Sequence, residues 1–426
     1  MRIVVLSIFE GGYQPITAIT AATALAMAGH DVALRDISVD GLGDTGILVD
    51  ADVVAVAVPL FEALSASPAV VDSVRSVNPE ATVVFFGQFA TINAASLVGR
   101  LCDFVIVGEW ERPLVTLMEH VHRPGSVELV GTLDPAMAQA GRTARPWRSW
   151  GFFEVPDRRL APPLGAYPQR QLERVLGREA MVGGLETSRG CRRRCAYCSV
   201  HAAYGGAAVA MRAEKILADV QAMIAEGMEH LTFMDADFLN HAERSLAIVE
   251  QINASFPGIT YDFTTRIDNI AQNNRIIKKL DRLGTIMITT SLHFPSQKVL
   301  DQIYSNLRIS TVESAFELIK NTDITLIPTF TPFNPWVEFE DFEILHQFLL
   351  RYDLDRKIDP SQYSNRLHLY KGSPLLSNET IKKLKLVPRE FDYEWVHSDS
   401  RVDAFYAATR ALRPSQENAA RCCLKC

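Results

Sequence analysis

The chain has 426 residues, of which 48% are hydrophobic and 22% are charged, and its formal net charge is −7 at pH 7. This length accommodates two or three domains of about 100–200 residues each, and the composition is ordinary for a globular protein. The acidic balance gives no sign of a nucleic-acid binder, and no apolar run approaches the ~20 residues of a membrane span. We therefore expect neither nucleic acid nor a membrane as a partner.

Residues 1–123 are predicted to form a first domain, because short apolar runs alternate there with helical patterns. Alternation of this kind, with almost entirely apolar strands, is typical of a doubly wound, Rossmann-like parallel sheet in an α/β fold. The start of the chain lacks the longer hydrophobic region and small-residue cleavage site of a signal peptide, so we expect a cytoplasmic location. The predicted strands are residues 3–8, 32–35, 53–58, 82–86 and 104–107.

Two stretches of this domain, Gly87-Gln-Phe-Ala-Thr-Ile-Asn and Cys102-Asp-Phe-Val-Ile-Val-Gly-Glu109, resemble a cobalamin-binding domain. In that family the histidine that ligates cobalamin lies in an Asp-x-His-x-x-Gly turn after the first strand. The corresponding turn here is Phe9-Glu-Gly-Gly-Tyr-Gln, which contains no histidine. Cobalamin binding is therefore left open: the domain either binds it without an axial ligand from the protein or serves as a scaffold.

Residues 124–180 are rich in proline and arginine and show little periodicity, which predicts a loop-rich connector. Residues 181–376 again alternate strand and helix patterns, and residues 377–426 form a C-terminal region. Parallel strands wound with helices close fully into eight units or partly into six. The predicted strands of this second domain are residues 183–187, 231–234, 261–264, 286–289, 325–328 and 366–369.

The most informative motif is Thr187-Ser-Arg-Gly-Cys191-Arg-Arg-Arg-Cys195-Ala-Tyr-Cys198-Ser199, which places three cysteines within eight residues. Cysteine thiolates hold [4Fe–4S] clusters with one thiolate to each iron, so three thiolates leave the fourth iron open to a reacting ligand. The spacing C-x3-C-x2-C, with Tyr197 before the last cysteine, resembles the radical S-adenosylmethionine (SAM) superfamily. A structural zinc site with His201 as fourth ligand is the alternative.

This resemblance implies a partial (β/α)6 barrel over most of residues 181–376, with a [4Fe–4S] cluster held by Cys191, Cys195 and Cys198. SAM would chelate the open iron through its amino and carboxylate groups. Reactive residues of parallel α/β barrels gather at the carboxyl ends of the strands, and the cysteine loop follows the first strand of this domain.

The SAM contacts that the resemblance implies follow later strands. Asp235 and Asp237 would receive the amino group, and Arg266 would clamp the carboxylate with two parallel hydrogen bonds. His293 occupies the place where relatives commonly carry a glutamate that contacts the ribose of SAM. Tyr197, in the cysteine loop, is the remaining residue of the predicted SAM site.

Four arginines surround the cysteine motif, namely Arg189, Arg192, Arg193 and Arg194. A solvated basic turn is the first interpretation of this run. A basic surface also steers acidic partners, so docking of an acidic electron donor such as flavodoxin is the functional prediction for these side chains.

The chain ends with Arg421-Cys-Cys-Leu-Lys-Cys426, three thiols within five residues. Soft thiolates prefer thiophilic centres, so Cys422, Cys423 and Cys426 predict an auxiliary iron–sulfur cluster, a zinc or copper ion, or a substrate such as trivalent arsenic. Together with the domain order, this ending resembles the radical SAM enzymes of arsinothricin biosynthesis.

That closer resemblance implies transfer of the 3-amino-3-carboxypropyl group of SAM to arsenite bound by the three tail cysteines. The products would be hydroxyarsinothricin and 5′-methylthioadenosine. Two alternatives remain from the sequence: a cobalamin-dependent radical SAM methyltransferase of a natural product, and an arsenite-binding or sensing protein that does not turn over SAM.

Overall fold

The computed structural model describes residues 1–43, 45–148, 153–304, 306–355 and 357–412, without the side chains of residues 170, 171 and 174. The chain divides into two compact units. The first unit comprises Met1–Arg174, Arg178–Gly190 and Ala207–Leu231, and the second comprises Val175–Gly177, Cys191–Gly206 and the residues from Thr232 onward. The sequence-based limits 1–123, 124–180, 181–376 and 377–426 remain predictions.

The strands in the described residues are β1 (Arg2–Ser7), β2 (Asp31–Asp36), β3 (Val53–Ala57), β4 (Thr82–Phe86), β5 (Phe104–Ile106), β6 (Thr132–Leu133), β7 (Val182–Leu185), β8 (Ser188–Gly190), β9 (Ala208–Ala210), β10 (His230–Phe233), β11 (Thr260–Thr264), β12 (Thr285–His293), β13 (Thr325–Phe330), β14 (Leu369–Tyr370), β15 (Lys385–Pro388) and β16 (Asp392–Val396).

The helices are α1 (Ile16–Met27), α2 (Ile37–Asp40), α3 (Phe61–Val77), α4 (Gln88–Leu97), α5 (Glu111–His122), α6 (Pro135–Gln139), α7 (Arg170–Leu176), α8 (Ser199–Tyr204), α9 (Ala213–Ala225), α10 (Ala242–Ser255), α11 (Ile267–Gln272), α12 (Asn274–Arg282), α13 (Gln297–Ile303), α14 (Ile309–Ile319), α15 (Phe342–Arg351), α16 (Glu379–Lys382) and α17 (Ser400–Ala411). None of these helices is long and apolar enough to cross a membrane.

The sheet of the first unit has the strand order β2-β1-β3-β4-β5-β6. β1 to β5 pair in parallel, and β6 adds an antiparallel edge to β5. Every residue of β3 is buried, as expected for a parallel strand whose two faces are both covered. The predicted doubly wound parallel sheet is therefore confirmed. Strand order reverses at β1, the position where open α/β sheets bind ligands beyond the carboxyl ends of their strands.

A second sheet has the order β13-β12-β11-β10-β7, and the boundary between the two units passes through β10. β11, β12 and β13 pair in parallel, so the α/β class predicted for this region is confirmed. The sheet contains five strands in the described residues, one fewer than the six that were predicted.

The strand predicted at residues 366–369 does not join this sheet along its length. Arg366 makes one parallel bridge to Phe333, and β14 instead pairs antiparallel with β16. The physical reason is the surroundings of Arg366: its guanidinium lies 3.8 Å from the centre of the Trp395 ring, donates to the Trp395 carbonyl at 2.7 Å and pairs with Asp403. This stretch therefore pairs with the C-terminal residues, which form the antiparallel sheet β14-β16-β15.

Candidate active site

The three motif cysteines lie in the second unit, on the loop that follows β8 and leads into α8. Cys191 and Cys195 are buried, with 8% and 7% of their surface exposed, and Cys198 is half-buried at the N-cap of α8. None of the three forms a disulfide. The loop therefore carries three thiols that are not tied up in disulfides, and these are the potential ligands that the sequence predicted.

Arg266 lies directly against this loop. Its Nη1 donates to Cys195 Sγ at 2.8 Å, while its Nε and Nη2 donate to the two carboxylate oxygens of Asp268 at 2.9 and 3.0 Å. Burial opposes the charge of Arg266, but the hydrogen bonds to Asp268 and the nearby Cys195 outweigh it and raise the pKa of the guanidinium. The pair of parallel N–H groups predicted to clamp the SAM carboxylate is thus engaged by Asp268.

Asp237 is buried and accepts hydrogen bonds at both oxygens. Thr265 Oγ1 donates to Oδ1 at 2.6 Å, Asn269 Nδ2 lies 2.9 and 3.0 Å from the two oxygens, and the Arg266 backbone N–H donates at 3.3 Å. Burial raises the pKa of Asp237 despite these bonds. The Asp237 carboxylate therefore connects the loop after β10 to the start of α11 through hydrogen bonds. The sequence predicted Asp237 as a SAM ligand and did not predict this structural role.

Asp235 is also buried, with 1% of its surface exposed, but it has different surroundings. Its charge opposes the effect of burial on Arg244, whose pKa is lowered chiefly by desolvation. The two aspartates predicted as a pair are thus in distinct environments. Asp237 accepts hydrogen bonds from Thr265, Arg266 and Asn269, whereas Asp235 interacts electrostatically with Arg244.

Arg193 connects the cysteine loop to α11. Its Nη2 donates to Asn269 Oδ1 at 3.0 Å and lies 3.8 Å from the Asp268 carboxylate. Of the four arginines predicted to dock an acidic donor, Arg192 and Arg194 are exposed. Arg193 is engaged on α11, so only part of the predicted basic surface faces solvent.

Three rings meet at the end of β12 in the second unit. The Tyr197 ring lies 4.1 Å from the His293 ring and 5.6 Å from the Tyr304 ring, centre to centre, both edge to face. Tyr197 belongs to the cysteine loop and His293 ends β12, so the structure brings these two predicted SAM residues together.

His293 has an unusual combination of properties. Its φ of 63° lies in the left-handed region, which non-glycine residues adopt mainly where the surroundings enforce it, often at functional sites. Nδ1 is 3.1 Å from Thr331 Oγ1, whereas Nε2 is buried without a hydrogen-bond partner. Burial lowers the pKa of His293 to about 3, so the ring is neutral. A buried polar atom without a partner calls for a ligand or a water.

The donor set fits an iron–sulfur cluster better than the zinc alternative. In the part of the chain that the structure describes, no group of three or more histidine, cysteine or acidic side chains is arranged to hold a single metal ion. That finding covers His201 and the three cysteines alike, so the choice between the two groups rests on the chemistry of the donors. A [4Fe–4S] cluster takes one thiolate at each iron, and the three thiols of the loop and the arginine against Cys195 suit such an anionic group.

The turn after β1 is tied by two of its polar side chains to other residues of the first unit. The Glu10 carboxylate accepts from Thr17 Oγ1 at 2.7 Å and from the Thr17 backbone N–H at 3.1 Å, at the start of α1. Gln14 donates to the Pro162 carbonyl and accepts from Arg158 Nη1 at 3.1 Å. The turn therefore offers no histidine, and two of its polar side chains, Glu10 and Gln14, bind other residues of the first unit.

Burial raises the pKa of Glu10 from 4.5 to about 8, which predicts a pH-dependent stability. Between these values the folded chain holds a proton that the unfolded chain releases, so stability falls as pH rises from 4.5 to 8, by about 1.4 kcal/mol per pH unit. Glu10→Gln removes this dependence, and the variant should become more stable than the native chain by pH 8. Unfolding at pH 5, 6.5 and 8 measures the slopes, with exposed Glu62→Gln as control; parallel curves for native and Glu10→Gln chains would contradict it.

Arg189, the fourth arginine of the predicted docking surface, is buried in the first unit, so that prediction was wrong for this residue. Its Nη1 donates to Glu111 at 2.7 Å and to Glu109 at 3.3 Å, and its Nε donates to Glu186 at 2.8 Å. The guanidinium also lies 3.9 Å from the centre of the Trp110 ring. The sequence did not reveal these partners, because two of them lie about 80 positions away.

Cys422, Cys423 and Cys426, predicted to bind arsenite, lie outside the described residues. The described chain ends after α17, in which Val402 is the buried residue.

Residues 185–348, which include the cysteine loop and the ends of β10 to β13, match the family model of the radical SAM superfamily. The chain carries a radical SAM domain. A [4Fe–4S] cluster and SAM are the cofactors of such a domain, in agreement with the sequence-based prediction. The match excludes residues 1–184 and 349–426, so it concerns the part of the chain that carries the cysteine loop.

Two relatives extend the similarity beyond the radical SAM domain. The chain is 25% identical over 346 residues to the hopanoid C-3 methylase of Methylococcus capsulatus, which covers 79% of this chain and 64% of the relative. It is 21% identical over 290 residues to an uncharacterized methyltransferase of Pyrococcus horikoshii, covering 66% of this chain and 60% of the relative. The chain thus spans less than two thirds of the length of either relative.

Two solved structures share the fold around the radical SAM domain. The cobalamin-dependent SAM radical enzyme OxsB, with aqua-cobalamin bound, has a TM-score of 0.72 at 15% identity, over 96% of this chain and 66% of OxsB. The radical SAM methyltransferase TsrM from Kitasatospora setae, with tryptophan and a SAM analogue bound, has a TM-score of 0.66 at 14% identity, over 83% of this chain and 71% of TsrM. At these identities the similarity concerns the fold.

Proposed function

We propose that this chain is a radical SAM transferase that moves a carbon-containing group from SAM to a small-molecule acceptor. The observation that carries the proposal is the loop of three cysteines outside any disulfide, two of them buried, inside a radical SAM domain. In the proposal Cys191, Cys195 and Cys198 hold a [4Fe–4S] cluster, which supplies the electron that breaks a carbon–sulfur bond of SAM. The protein residues place SAM and exclude competing reactions.

The proposed SAM contacts differ in the support that they have. His293 offers the buried Nε2 without a partner, next to Tyr197, and we assign it to a SAM hydroxyl. Asp235, a buried carboxylate whose charge acts on Arg244, is the group that we assign to the amino group of SAM. In this proposal Asp237 positions the strand ends, and Arg266 contacts the cluster loop.

Methyl transfer with cobalamin is the candidate that the comparisons favour. Both relatives are named as a methylase or a methyltransferase, and the first unit has the parallel sheet expected of a cobalamin-binding domain. The absence of histidine from the turn after β1 would leave cobalamin without an axial ligand at that position. Methyl transfer from SAM releases S-adenosylhomocysteine, which identifies this candidate.

Aminocarboxypropyl transfer to arsenite is the second candidate, favoured by the tail Arg421-Cys-Cys-Leu-Lys-Cys426. Three closely spaced thiolates suit trivalent arsenic as a soft, thiophilic centre. The bond that breaks lies between the sulfonium sulfur and the aminocarboxypropyl carbon, and that carbon bonds to arsenic. The products are hydroxyarsinothricin and 5′-methylthioadenosine, so the nucleoside distinguishes this reaction from methyl transfer.

The test is an anaerobic incubation of cluster-loaded protein with SAM and a strong reductant, with and without arsenite and with and without cobalamin, analysed by mass spectrometry. Methylthioadenosine with an arsenic-containing amino acid supports the second candidate, and S-adenosylhomocysteine supports the first. Tail variant Cys422/Cys423/Cys426→Ser should lose arsenite binding and the arsenic product but keep the cluster, because the loop thiols are unchanged.

The remaining outcomes decide against parts of the proposal. Unchanged arsenic product from the tail variant would remove the assigned role of these cysteines. Arsenite binding without any SAM cleavage would support the sensing alternative and contradict a transferase. An acidic electron donor such as flavodoxin in place of the chemical reductant tests the proposed partner.

A further inference from the structure

The contact between Arg266 and Cys195 has a geometry that fixes the guanidinium. Nη1 donates to Cys195 Sγ at 2.8 Å, and Asp268 holds the Nε and Nη2 edge with two hydrogen bonds. The Tyr304 ring lies 4.9 Å from the guanidinium carbon, and the Arg266 side chain is only 11% exposed. The contacts with Asp268 and Tyr304 therefore hold the Arg266 guanidinium in the orientation that points Nη1 at the Cys195 sulfur.

A hydrogen bond and a positive charge at a ligating sulfur favour the cluster state with the additional electron. The reduction potentials of iron–sulfur clusters are set in part by hydrogen bonds to the sulfurs and by solvent exposure. In a buried site such a charge acts more strongly than in water, because the local dielectric is low. Arg266 donates to the sulfur of Cys195, and Asp268 determines which N–H group faces it.

We propose that Arg266 is a positioning residue that raises the reduction potential of the cluster by donating to the Cys195 thiolate. This inference rests on the proposed function, since it requires Cys195 to bind the cluster. It assigns the guanidinium to the sulfur in place of the SAM carboxylate. The electron itself comes from a separate one-electron donor and converts [4Fe–4S]2+ to [4Fe–4S]+.

The experiment is a redox titration of cluster-loaded protein with dithionite, without SAM, followed by electron paramagnetic resonance. We expect Arg266→Gln to weaken cluster reduction at least about tenfold, which is a shift of about 59 mV to more negative potential for one electron. Arg266→Lys keeps the charge but loses the paired bonds to Asp268, so its shift should have the same direction and be smaller. Arg192→Gln, which removes an exposed charge from the same loop, is the matched control and should shift the potential less than either.

The outcomes separate this inference from the proposed function. A native chain that assembles no cluster would contradict the proposed function itself. A native chain with a cluster, and an Arg266→Gln variant with unchanged potential, would overturn only the inference. If Arg266→Gln does not assemble a cluster, the lysine variant decides: a potential equal to the native one overturns the role of Arg266.

Discussion

Cys195→Ala protein, reconstituted anaerobically with iron and sulfide, is expected to lose most of its iron and to cleave no SAM. Cys195 is buried, free of disulfides and in contact with Arg266, so alanine removes one of three thiolates and leaves a cationic guanidinium without its sulfur partner. A cluster that is held by one thiolate at each iron cannot be completed by two. Iron and sulfide analysis, visible absorbance and nucleoside assays measure the loss.

Cys102→Ala is the matched control for this prediction. Cys102 is also buried, with 3% of its surface exposed, but it lies in the first unit, and burial raises the pKa of its thiol far above the usual range. An inert buried thiol packs as a small apolar group, so its removal should leave iron content and SAM cleavage unchanged. Equal iron content and activity in Cys195→Ala and native protein would contradict the cluster assignment.

Arg189→Met is expected to destabilise the protein by about 3–5 kcal/mol, the usual cost of removing one partner of a buried ion pair. The Arg189 side chain is 1% exposed, and its guanidinium forms ion pairs with Glu109, Glu111 and Glu186. Methionine fills much of the volume against Trp110 but removes the Arg189 cation from three carboxylates, of which Glu109 is fully buried. Denaturant unfolding, followed by tryptophan fluorescence, measures the change in the free energy of unfolding.

Arg192→Met provides the comparison for this variant, because it makes the same chemical change three positions away on an exposed side chain. Surface substitutions of this kind usually stay within about 0.5 kcal/mol. Equal stability of the two variants would mean that the carboxylates around Arg189 do not depend on its charge.

The cysteine loop and the strands could be predicted from sequence because their signals are local. Spacing alone brings Cys191, Cys195 and Cys198 onto one loop, and runs such as 53–57 identify buried parallel strands by composition. The prediction that residues 366–369 form a strand of the second sheet was wrong, because Arg366 contacts Trp395 and Asp403 and this stretch pairs with the C-terminal residues instead. Those contacts depend on residues that lie far along the chain.

The roles of charged side chains were harder to predict than their positions. The sequence placed Asp237 and Arg266 at strand ends but did not reveal their partners. Asn269 donates a hydrogen bond to Asp237, and Arg266 donates to Asp268. The left-handed backbone of His293 and its unpaired Nε2 also have no sequence signature. Arg189 shows the largest difference, because a basic sequence run does not reveal which of its members is buried.

The buried cluster around Arg189 has a consequence for how the protein is made. Arg189 is added to the growing chain about 80 residues after Glu109 and Glu111. The first unit also includes residues 207–231, which are synthesised later still. A ribosome therefore exposes the whole N-terminal sheet before the chain that neutralises these carboxylates has emerged. Cotranslational folding of the first unit cannot be completed until that later segment leaves the exit tunnel, so a truncation at residue 180 would leave both glutamates without their counterion.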